Sequence, residues 1–187
     1  MAGGAVGRAT LDAVLIVRRI RPDEGEVLHD IRLASLGDSP SAFASTHAAE
    51  SALPATHWSQ RAADTALGTD SAIFLALDDD QAVGIVGAFR TALGSTVVRL
   101  GAMWTAPAHR GGGVGRRLVD AVLEWAGQCR ASEIELWVTE GNAAALSLYE
   151  SAGFVMTGEH QPLPSDPSLT VLRMTRLGQL FARTANP

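Results

Sequence analysis

The sequence has few of the features that stabilise or anchor a protein outside the cytoplasm. Its 187 residues include one cysteine, Cys129, so no internal disulfide can form and nothing points to secretion. The apolar run at residues 13–17 is far too short to span a bilayer and has no signal-peptide cleavage pattern after it. We therefore expect a cytoplasmic protein without a membrane partner. Cys129 follows Trp125 and Ala126, which predicts a buried thiol on a helix, with no chemistry of its own.

Charge is also sparse. Charged residues make up 19% of the chain, and the formal net charge is −5. A non-specific nucleic-acid binder needs a basic surface, so we expect no nucleic-acid partner. The acidic excess suits a cationic or amine-bearing substrate, although acidity serves solubility alone in most proteins. The hydrophobic fraction of 47% is ordinary for a soluble globular protein of one domain.

The apolar patterning predicts one mixed α/β domain over residues 11–178. Residues 1–10 are predicted to form a disordered tail, and residues 179–187 a C-terminal tail. The predicted order is strand, helices, three strands, helix, strand, helix and two strands, and residues 42–67 are predicted to be helical in pieces with an interruption at Pro54. This order is typical of a mixed α/β arrangement with a largely antiparallel first half.

Four glycines stand directly before a predicted helix in the stretch HRGGGVGRRL, residues 109–118. The first N–H groups of a helix have no partner within it, and the helix dipole adds about half a positive charge there. Glycine lets the backbone approach an anion closely and adopt a positive φ without a Cβ penalty. Arg110, Arg116 and Arg117 can add charge-assisted hydrogen bonds. The stretch is therefore a candidate phosphate-binding loop.

Two common phosphate-binding motifs do not fit this stretch. A P-loop needs Gly-Lys-Ser/Thr at its end, and no lysine follows these glycines. A dinucleotide fingerprint needs a third glycine at a position that is Arg116 or Leu118 here. The alternative interpretation is that the glycines only form a turn.

Other catalytic patterns are missing from the sequence. It contains no histidine pair at i, i+4 and no cysteine cluster, so we expect no metal site. It also has no Gly-x-Ser-x-Gly nucleophile motif. The tryptophans at positions 58, 104, 125 and 137 are most simply core or pocket wall.

Two stretches of the chain together resemble the GNAT superfamily of acetyl-CoA-dependent N-acetyltransferases over about residues 97–157. They are MWTAPAHRGGGVGRRLVDAVLEWA and LWVTEGNAAALSLYESAGF. Arg110-x-x-Gly113-x-Gly115 matches the family signature Arg/Gln-x-x-Gly-x-Gly/Ala, between a strand and a helix. Asn142 and Tyr149 match the strand–helix segment that follows. The resemblance implies an α/β GNAT fold, whose central mixed and mostly antiparallel sheet has about seven strands and about four flanking helices.

The resemblance also implies where acetyl-CoA binds. In this family the pyrophosphate of coenzyme A lies on the amides of the glycine loop, and the pantetheine arm pairs like an extra strand with the backbone before it. The implied cofactor-binding residues are Met103, Trp104, Thr105, Arg110, Gly111, Gly112, Gly113, Val114, Gly115, Arg116 and Asn142. No metal is implied.

Tyr149 matches the tyrosine that commonly protonates the departing thiolate in this family, and it is the only tyrosine of the chain. A phenol with a pKa of about 10 is protonated at neutral pH and can hydrogen-bond or donate to sulfur. The alternative is a packed aromatic side chain without a catalytic role. Asn142 is predicted first as the N-cap of a helix that Gly153 ends, with a second role near the cofactor implied by the resemblance.

The general base has no clear candidate in the sequence. An amine with a pKa of about 10 must lose a proton before it attacks a thioester. Some relatives have a glutamate five residues before the motif asparagine, and that position is Trp137 here. The remaining candidates are more often surface residues than bases, namely Glu135, Glu140, His109 and His160. A water relay or a substrate of low pKa is equally open.

The resemblance implies an N-acetyltransferase that moves acetyl from acetyl-CoA to a primary amine by direct attack in a ternary complex. The acceptor is a small molecule or a peptide, and its pocket corresponds to Ser39–Ala66 and Glu159–Ser168. The alternatives are a non-catalytic acyl-CoA-binding or sensor module, and transfer of a different acyl group. Members of the family often form homodimers.

Overall fold

The computed structural model describes residues 15–178, so both predicted tails, and residues 11–14 of the predicted domain, lie outside the described residues. The described part contains seven strands and five α-helices. The elements in chain order are β1 (Leu15–Arg19), α1 (Gly25–Asp38), α2 (His47–Ser51), α3 (Ala55–Leu67), β2 (Ser71–Asp78), β3 (Gln81–Arg90), β4 (Val97–Thr105), α4 (Val114–Gln128), β5 (Glu133–Thr139), α5 (Ala143–Ser151), β6 (Val155–Leu163) and β7 (Asp166–Leu177).

All seven strands form one sheet in the order β1-β2-β3-β4-β5-β7-β6. Every neighbouring pair is antiparallel except β4 and β5, which run parallel. The α4 helix connects β4 to β5, as a parallel crossover requires. The predicted mixed, mostly antiparallel sheet of seven strands is confirmed.

Helices cover both faces of the sheet. On one face the apolar stripe of α4 packs on the central strands, with Leu118 and Val122 fully buried. On the other face α1 and α3 pack on the first strands through Leu28 and Trp58. Residues 71–78 of β2 are therefore apolar almost throughout, because the strand is buried on both sides.

The helices differ from the prediction in two details. There are five rather than about four, because the segment that was predicted to be helical in pieces splits into α2 and α3 at Pro54. The prediction of a buried Cys129 within α4 was wrong. The helix ends at Gln128, and Cys129 is half-buried at its C-cap, with Sγ 3.5 Å from the Thr69 carbonyl oxygen.

The parallel pair is the point where the sheet opens. Residues 97–99 of β4 pair with residues 133–135 of β5, and the two strands carry no further paired residues beyond that point. The sheet therefore splits towards the C-terminal ends of β4 and β5, and the candidate site lies in this gap.

None of the helices within residues 15–178 is long and apolar enough to cross a membrane.

Candidate active site

A cavity of about 470 Å³ occupies the gap between β4 and β5. Leu100 and Met103 line it from β4, Trp137 and Thr139 from β5, and Tyr149 from α5. The two segments expected to build the acceptor pocket also line it. The first contributes Ala42, Phe43, Ala44, Ser45 and Arg61, and the second contributes Gln161, Leu163 and Pro164.

Hydrogen bonds hold these two segments over the cavity. The Ser165 hydroxyl, in the turn between β6 and β7, donates to the Phe43 carbonyl oxygen. The Thr139 hydroxyl at the end of β5 donates to the Ser41 carbonyl oxygen at 2.7 Å. Segments far apart in sequence are thereby fixed to one another around one cavity.

A β-bulge in β4 turns the strand's backbone towards the gap. Gly101 lies opposite Gly87 and Trp104 lies opposite Ile85, so two residues of β4 face the single residue Val86. Ala102 in this bulge has a φ of +52°, a conformation that residues with a Cβ rarely adopt. Such strain in a sheet is common beside functional sites.

On the side of the gap, the backbone groups of Met103 and the Thr105 N–H have no partner within residues 15–178, whereas the Thr105 carbonyl oxygen accepts from Arg110 Nε at 2.9 Å. Ala106 N–H donates to the Val83 carbonyl oxygen at 2.8 Å, so Trp104, two residues earlier, also directs its backbone groups at β3. Along an antiparallel pair, the backbone groups of successive residues point alternately towards and away from the partner strand. The N–H and C=O groups of Met103 and Thr105 therefore point away from β3. An extended ligand can pair with this segment as an added strand does.

The glycine stretch forms an open loop before α4. Gly111 and Gly113 have φ values of +76° and +81°, and a Cβ at either position would meet no atom within 4 Å. Gly113 is the N-cap of α4, and the first helical bond runs from Arg117 N–H to the Gly113 carbonyl oxygen at 3.1 Å. The N–H groups of residues 114–116 therefore have no partner within the helix, which makes this helix end suitable for an anion.

Gly115 has a different role from the loop glycines. A Cβ there would lie 3.2 Å from both Leu148 Cδ2 and Met103 Cε, and 3.9 Å from Thr105 Oγ1. The first turn of α4 can therefore approach α5 and the end of β4 only because this residue has no side chain.

The arginines next to the loop form ion pairs with protein groups. Arg110 Nε donates to the Thr105 carbonyl oxygen at 2.9 Å, and its guanidinium pairs with the Asp38 carboxylate. Trp104 Nε1 donates to the same carboxylate at 2.8 Å. Arg116 pairs with Asp120 one turn further along α4. The backbone amides, rather than these guanidinium groups, are the unoccupied donors of the loop.

The Tyr149 side chain is buried between α5 and the core, and its ring packs edge-on against Phe154 at 5.9 Å. Burial raises the pKa of the Tyr149 phenol well above its ordinary value of 10.0. Within residues 15–178 its hydroxyl forms no hydrogen bond, although the side chain lines the cavity. A neutral phenol is therefore available as a donor to a group bound there.

Asn142 caps α5, as predicted: its side-chain oxygen accepts from Ala145 N–H at 3.1 Å. Gly153, with a φ of +85°, follows the C-cap of this helix, also as predicted. Asn142 additionally lines the cavity, which brings it together with Tyr149 and Met103.

The four base candidates lie apart. Glu135 was expected at the surface, but it is buried with 5% exposure, because Arg99 and Arg173 both pair with its carboxylate. His109 Nε2 lies 2.9 Å from Asp78 Oδ2 at the end of β2. Glu140 and His160 are exposed. None of the described residues that line the cavity is Asp, Glu or His.

Residues 15–178 contain no group of three or more His, Cys, Asp and Glu side chains arranged to hold a metal ion.

Besides Arg99 of β4, which lines the cavity, sequence reasoning missed three charged residues at this site, namely Arg32, Arg61 and Asp38. The first two line the cavity, and the third joins the end of α1 to the glycine loop. Each belongs to the poorly patterned first third of the chain, and only the folded arrangement brings it to the site.

Comparison with known proteins gives the same fold. The model of the acetyltransferase (GNAT) family matches residues 36–154. An acetyltransferase of the GNAT family from Streptococcus pneumoniae shares 21% identity, and the match covers 88% of this chain and 99% of that one with a TM-score of 0.73. A Salmonella typhimurium structure with its cofactor acetyl-CoA shares 17% identity, over 88% and 94% of the two chains, with a TM-score of 0.71.

A spermidine N-acetyltransferase from Vibrio cholerae, solved in complex with CoA and spermine, is similar over 90% of this chain and 98% of that one. Its identity is 19% and its TM-score is 0.69. A comparison with curated protein sequences found no match. The family match spans more than half of the chain, and it includes the glycine loop, the split in the sheet and Tyr149. The chain therefore belongs to the GNAT acetyltransferase family.

Proposed function

We propose that the protein transfers the acetyl group of acetyl-CoA to a primary amine, by direct attack of the amine within a ternary complex. The observation that carries this proposal is one continuous path along the molecule. It runs from the free amides of the glycine loop, past the free backbone groups of Met103 and the free N–H of Thr105, to the cavity that Tyr149 lines.

The residues along this path fit acetyl-CoA. The amides of residues 111–116 are suited to the pyrophosphate, because two open positive-φ glycines directly precede the positive end of α4. The backbone groups of Met103 and the N–H of Thr105 would pair with the amides of pantetheine, which are hydrogen-bond donors and acceptors. When bound, acetyl-CoA supplies an activated acetyl group as a thioester.

Tyr149 is proposed to assist departure of the thiolate. A thiol has a pKa near 8.5 and an ordinary phenol near 10, so complete proton transfer from Tyr149 to the thiolate is uphill by about 2 kcal/mol. Burial raises the pKa of Tyr149 and enlarges this gap. We therefore assign Tyr149 the role of a neutral hydrogen-bond donor that stabilises negative charge on sulfur, rather than that of a full proton donor.

The proton of the amine has no side-chain acceptor among the described residues of the cavity. The neutral polar side chains on its wall can orient an amine but cannot take its proton at neutral pH, and they are Ser45, Thr139, Asn142, Tyr149 and Gln161. Water that enters the cavity is the remaining proton acceptor.

The lack of a described Asp, Glu or His on the cavity wall favours a second candidate function, a non-catalytic acyl-CoA-binding module. The glycine loop serves this function equally well, and such a module needs no base. Measurement of thiol release from acetyl-CoA over a panel of primary amines separates the two. Amine-dependent release supports the enzyme, whereas tight binding of acetyl-CoA with no turnover on any amine supports the binding module.

The phosphate-binding role of the loop is tested by a matched pair of glycine variants. Gly113 and Gly94 have similar φ values, +81° and +72°, and a Cβ at either would meet no atom within 4 Å. Gly113→Leu and Gly94→Leu should therefore each destabilise the fold by about 1–2 kcal/mol. Only Gly113→Leu should lose coenzyme A affinity in isothermal titration calorimetry. Equal coenzyme A affinity of the two variants would indicate that the loop glycines only form a turn.

A further inference from the structure

The charged side chains that line the cavity are all cationic. Arg32 reaches it from α1, Arg61 from α3 and Arg99 from β4, and no described acidic side chain lines it. The protein as a whole carries a net charge of −5, so this cluster runs against the overall charge of the chain. A cavity that binds a simple polyamine would be expected to present carboxylates instead.

Arg61 is the cation without a partner. It forms no ion pair with residues 15–178, and desolvation followed by the nearby Arg32 lowers the pKa of its guanidinium. Arg61 is nevertheless exposed to solvent. It lines both the active-site cavity and an adjoining groove between α3 and β2, where Asp64 is the described acidic residue.

Arg32 adds an unused donor beside Arg61. Its Nε and Nη2 bind the two carboxylate oxygens of Glu50 at 2.8 and 2.7 Å, while its Nη1 is buried without a hydrogen-bond partner in residues 15–178. Among the described residues, Glu50 is therefore the carboxylate near both the Arg32 and the Arg61 guanidinium groups. One negative charge offsets two positive charges, so this side of the cavity has an excess of one positive charge. A buried donor without a partner is costly and often marks a ligand site.

Arg99 on the opposite wall is neutralised. It pairs with Glu135 at 2.5 Å, and Glu135 also pairs with Arg173, which in turn contacts Glu133 and Glu159. These five groups contain more carboxylates than guanidinium groups, so the uncompensated positive charge lies at Arg61 and Arg32.

We propose that the acceptor is an amine that also carries a small oxyanion such as a carboxylate, which binds to the exposed guanidinium of Arg61 and is attracted by the positive charge of Arg32 beside it. This inference rests on the proposed acetyl transfer and specifies its acceptor. The planar guanidinium of Arg61 suits a carboxylate, which can accept two parallel hydrogen bonds from it. Attachment at this wall would fix the amine end of the molecule in the part of the cavity nearest Tyr149 and Met103.

The test compares amines that differ only in charge at the far end. We would measure kcat/KM for L-amino acids and ω-amino carboxylates of several lengths, each against its carboxamide and, for the ω series, the diamine of the same length. The kcat/KM of the best carboxylate should exceed that of its carboxamide by about tenfold or more, mostly because its KM is lower. A carboxamide or diamine that equals or exceeds its carboxylate at every length would overturn the proposal.

Arg61→Met removes the charge at similar volume, and it should bring the carboxylate-to-carboxamide ratio close to one. Arg61→Lys keeps the charge without the planar fork and should restore part of that ratio. Arg21→Met, the same substitution at an exposed arginine outside both cavities, should leave the ratio unchanged. An unchanged ratio in Arg61→Met contradicts the inference.

Binding measurements keep this inference separate from the proposed transfer. With coenzyme A present, calorimetry should detect the best amino carboxylate with wild type and show a loss of about tenfold or more with Arg61→Met. If no amine is acetylated but this binding persists, the proposed transfer fails and the anion site stands. If amines are acetylated without preference for carboxylates, the transfer stands and the anion site fails.

Discussion

Removal of the Tyr149 hydroxyl tests the proposed chemistry with little structural disturbance. The hydroxyl forms no hydrogen bond within residues 15–178, and phenylalanine fills the same space against Phe154. Tyr149→Phe should therefore change the free energy of unfolding by no more than about 0.5 kcal/mol. Loss of one donor directed at developing charge lowers kcat by about 100-fold or more. The KM for acetyl-CoA should stay near its wild-type value, because the loop and the β4 backbone are untouched.

The pKa of Tyr149 can be followed directly, because the chain contains no other tyrosine. Burial raises the pKa of this phenol in the folded state, so the phenolate absorbance should be absent near pH ~10, where an ordinary phenol is half ionised. Above that pH the unfolded chain releases the proton while the folded chain retains it. The free energy of unfolding should then fall by about 1.4 kcal/mol per pH unit on account of this group.

Tyr149→Phe lacks that alkaline slope and is the control for it. Urea unfolding of both proteins at several pH values near and above ~10 measures the difference. Two results would refute the reasoning. One is a wild-type phenolate that titrates at the ordinary pKa of a phenol, and the other is a variant that acetylates amines as fast as wild type.

Three further substitutions test the surroundings of the site. Gly115→Val places a side chain where a Cβ already lies 3.2 Å from Met103 and Leu148, so it should lower the free energy of unfolding by about 1–3 kcal/mol and weaken coenzyme A binding in calorimetry. Glu135→Gln leaves two arginines without their shared carboxylate and should cost about 2 kcal/mol in urea unfolding, while a kcat close to wild type would confirm that it is not the base. Asn142→Ala removes the cap of α5 and should cost about 1 kcal/mol, whereas an unchanged unfolding midpoint would contradict the capping role.

The sequence predicts the elements whose patterns are local. The apolar stripe of α4, the alternation of residues 133–138 and the cap at Asn142 each depend on neighbours within one or two turns. The same holds for the glycine loop, because positive φ values and free amides follow from residues 111–116 alone. Residues 42–67 have weaker periodicity, yet the predicted interruption of this helical segment at Pro54 is confirmed, because α2 ends before this proline and α3 begins after it.

The charges of the site could not be predicted, because they depend on contacts between distant segments. Asp38 and Arg110 are separated by 72 residues, and nothing in the sequence near either one indicates that they pair. Glu135 lies in an alternating strand that predicts an exposed carboxylate, yet Arg99 and Arg173 on neighbouring strands make its burial possible. Resemblance assigned Arg110 and Arg116 to the phosphates, whereas only the structure shows that their guanidinium groups already bind carboxylates.

The arginines of the cavity also bear on the missing base. A positive charge close to a bound ammonium group lowers its pKa, because it disfavours the protonated form. Arg61 and Arg32 would therefore favour the neutral form of an amine that carries no oxyanion. The carboxylate of an amino carboxylate offsets their one excess charge, so the arginines bind such an acceptor but change the pKa of its amine little. Water then remains the proton acceptor beside a wall that has no described Asp, Glu or His. A carboxylate base at the same wall would pair with Arg61 and compete with the oxyanion of the acceptor, so the lack of such a base and the excess positive charge follow from one arrangement.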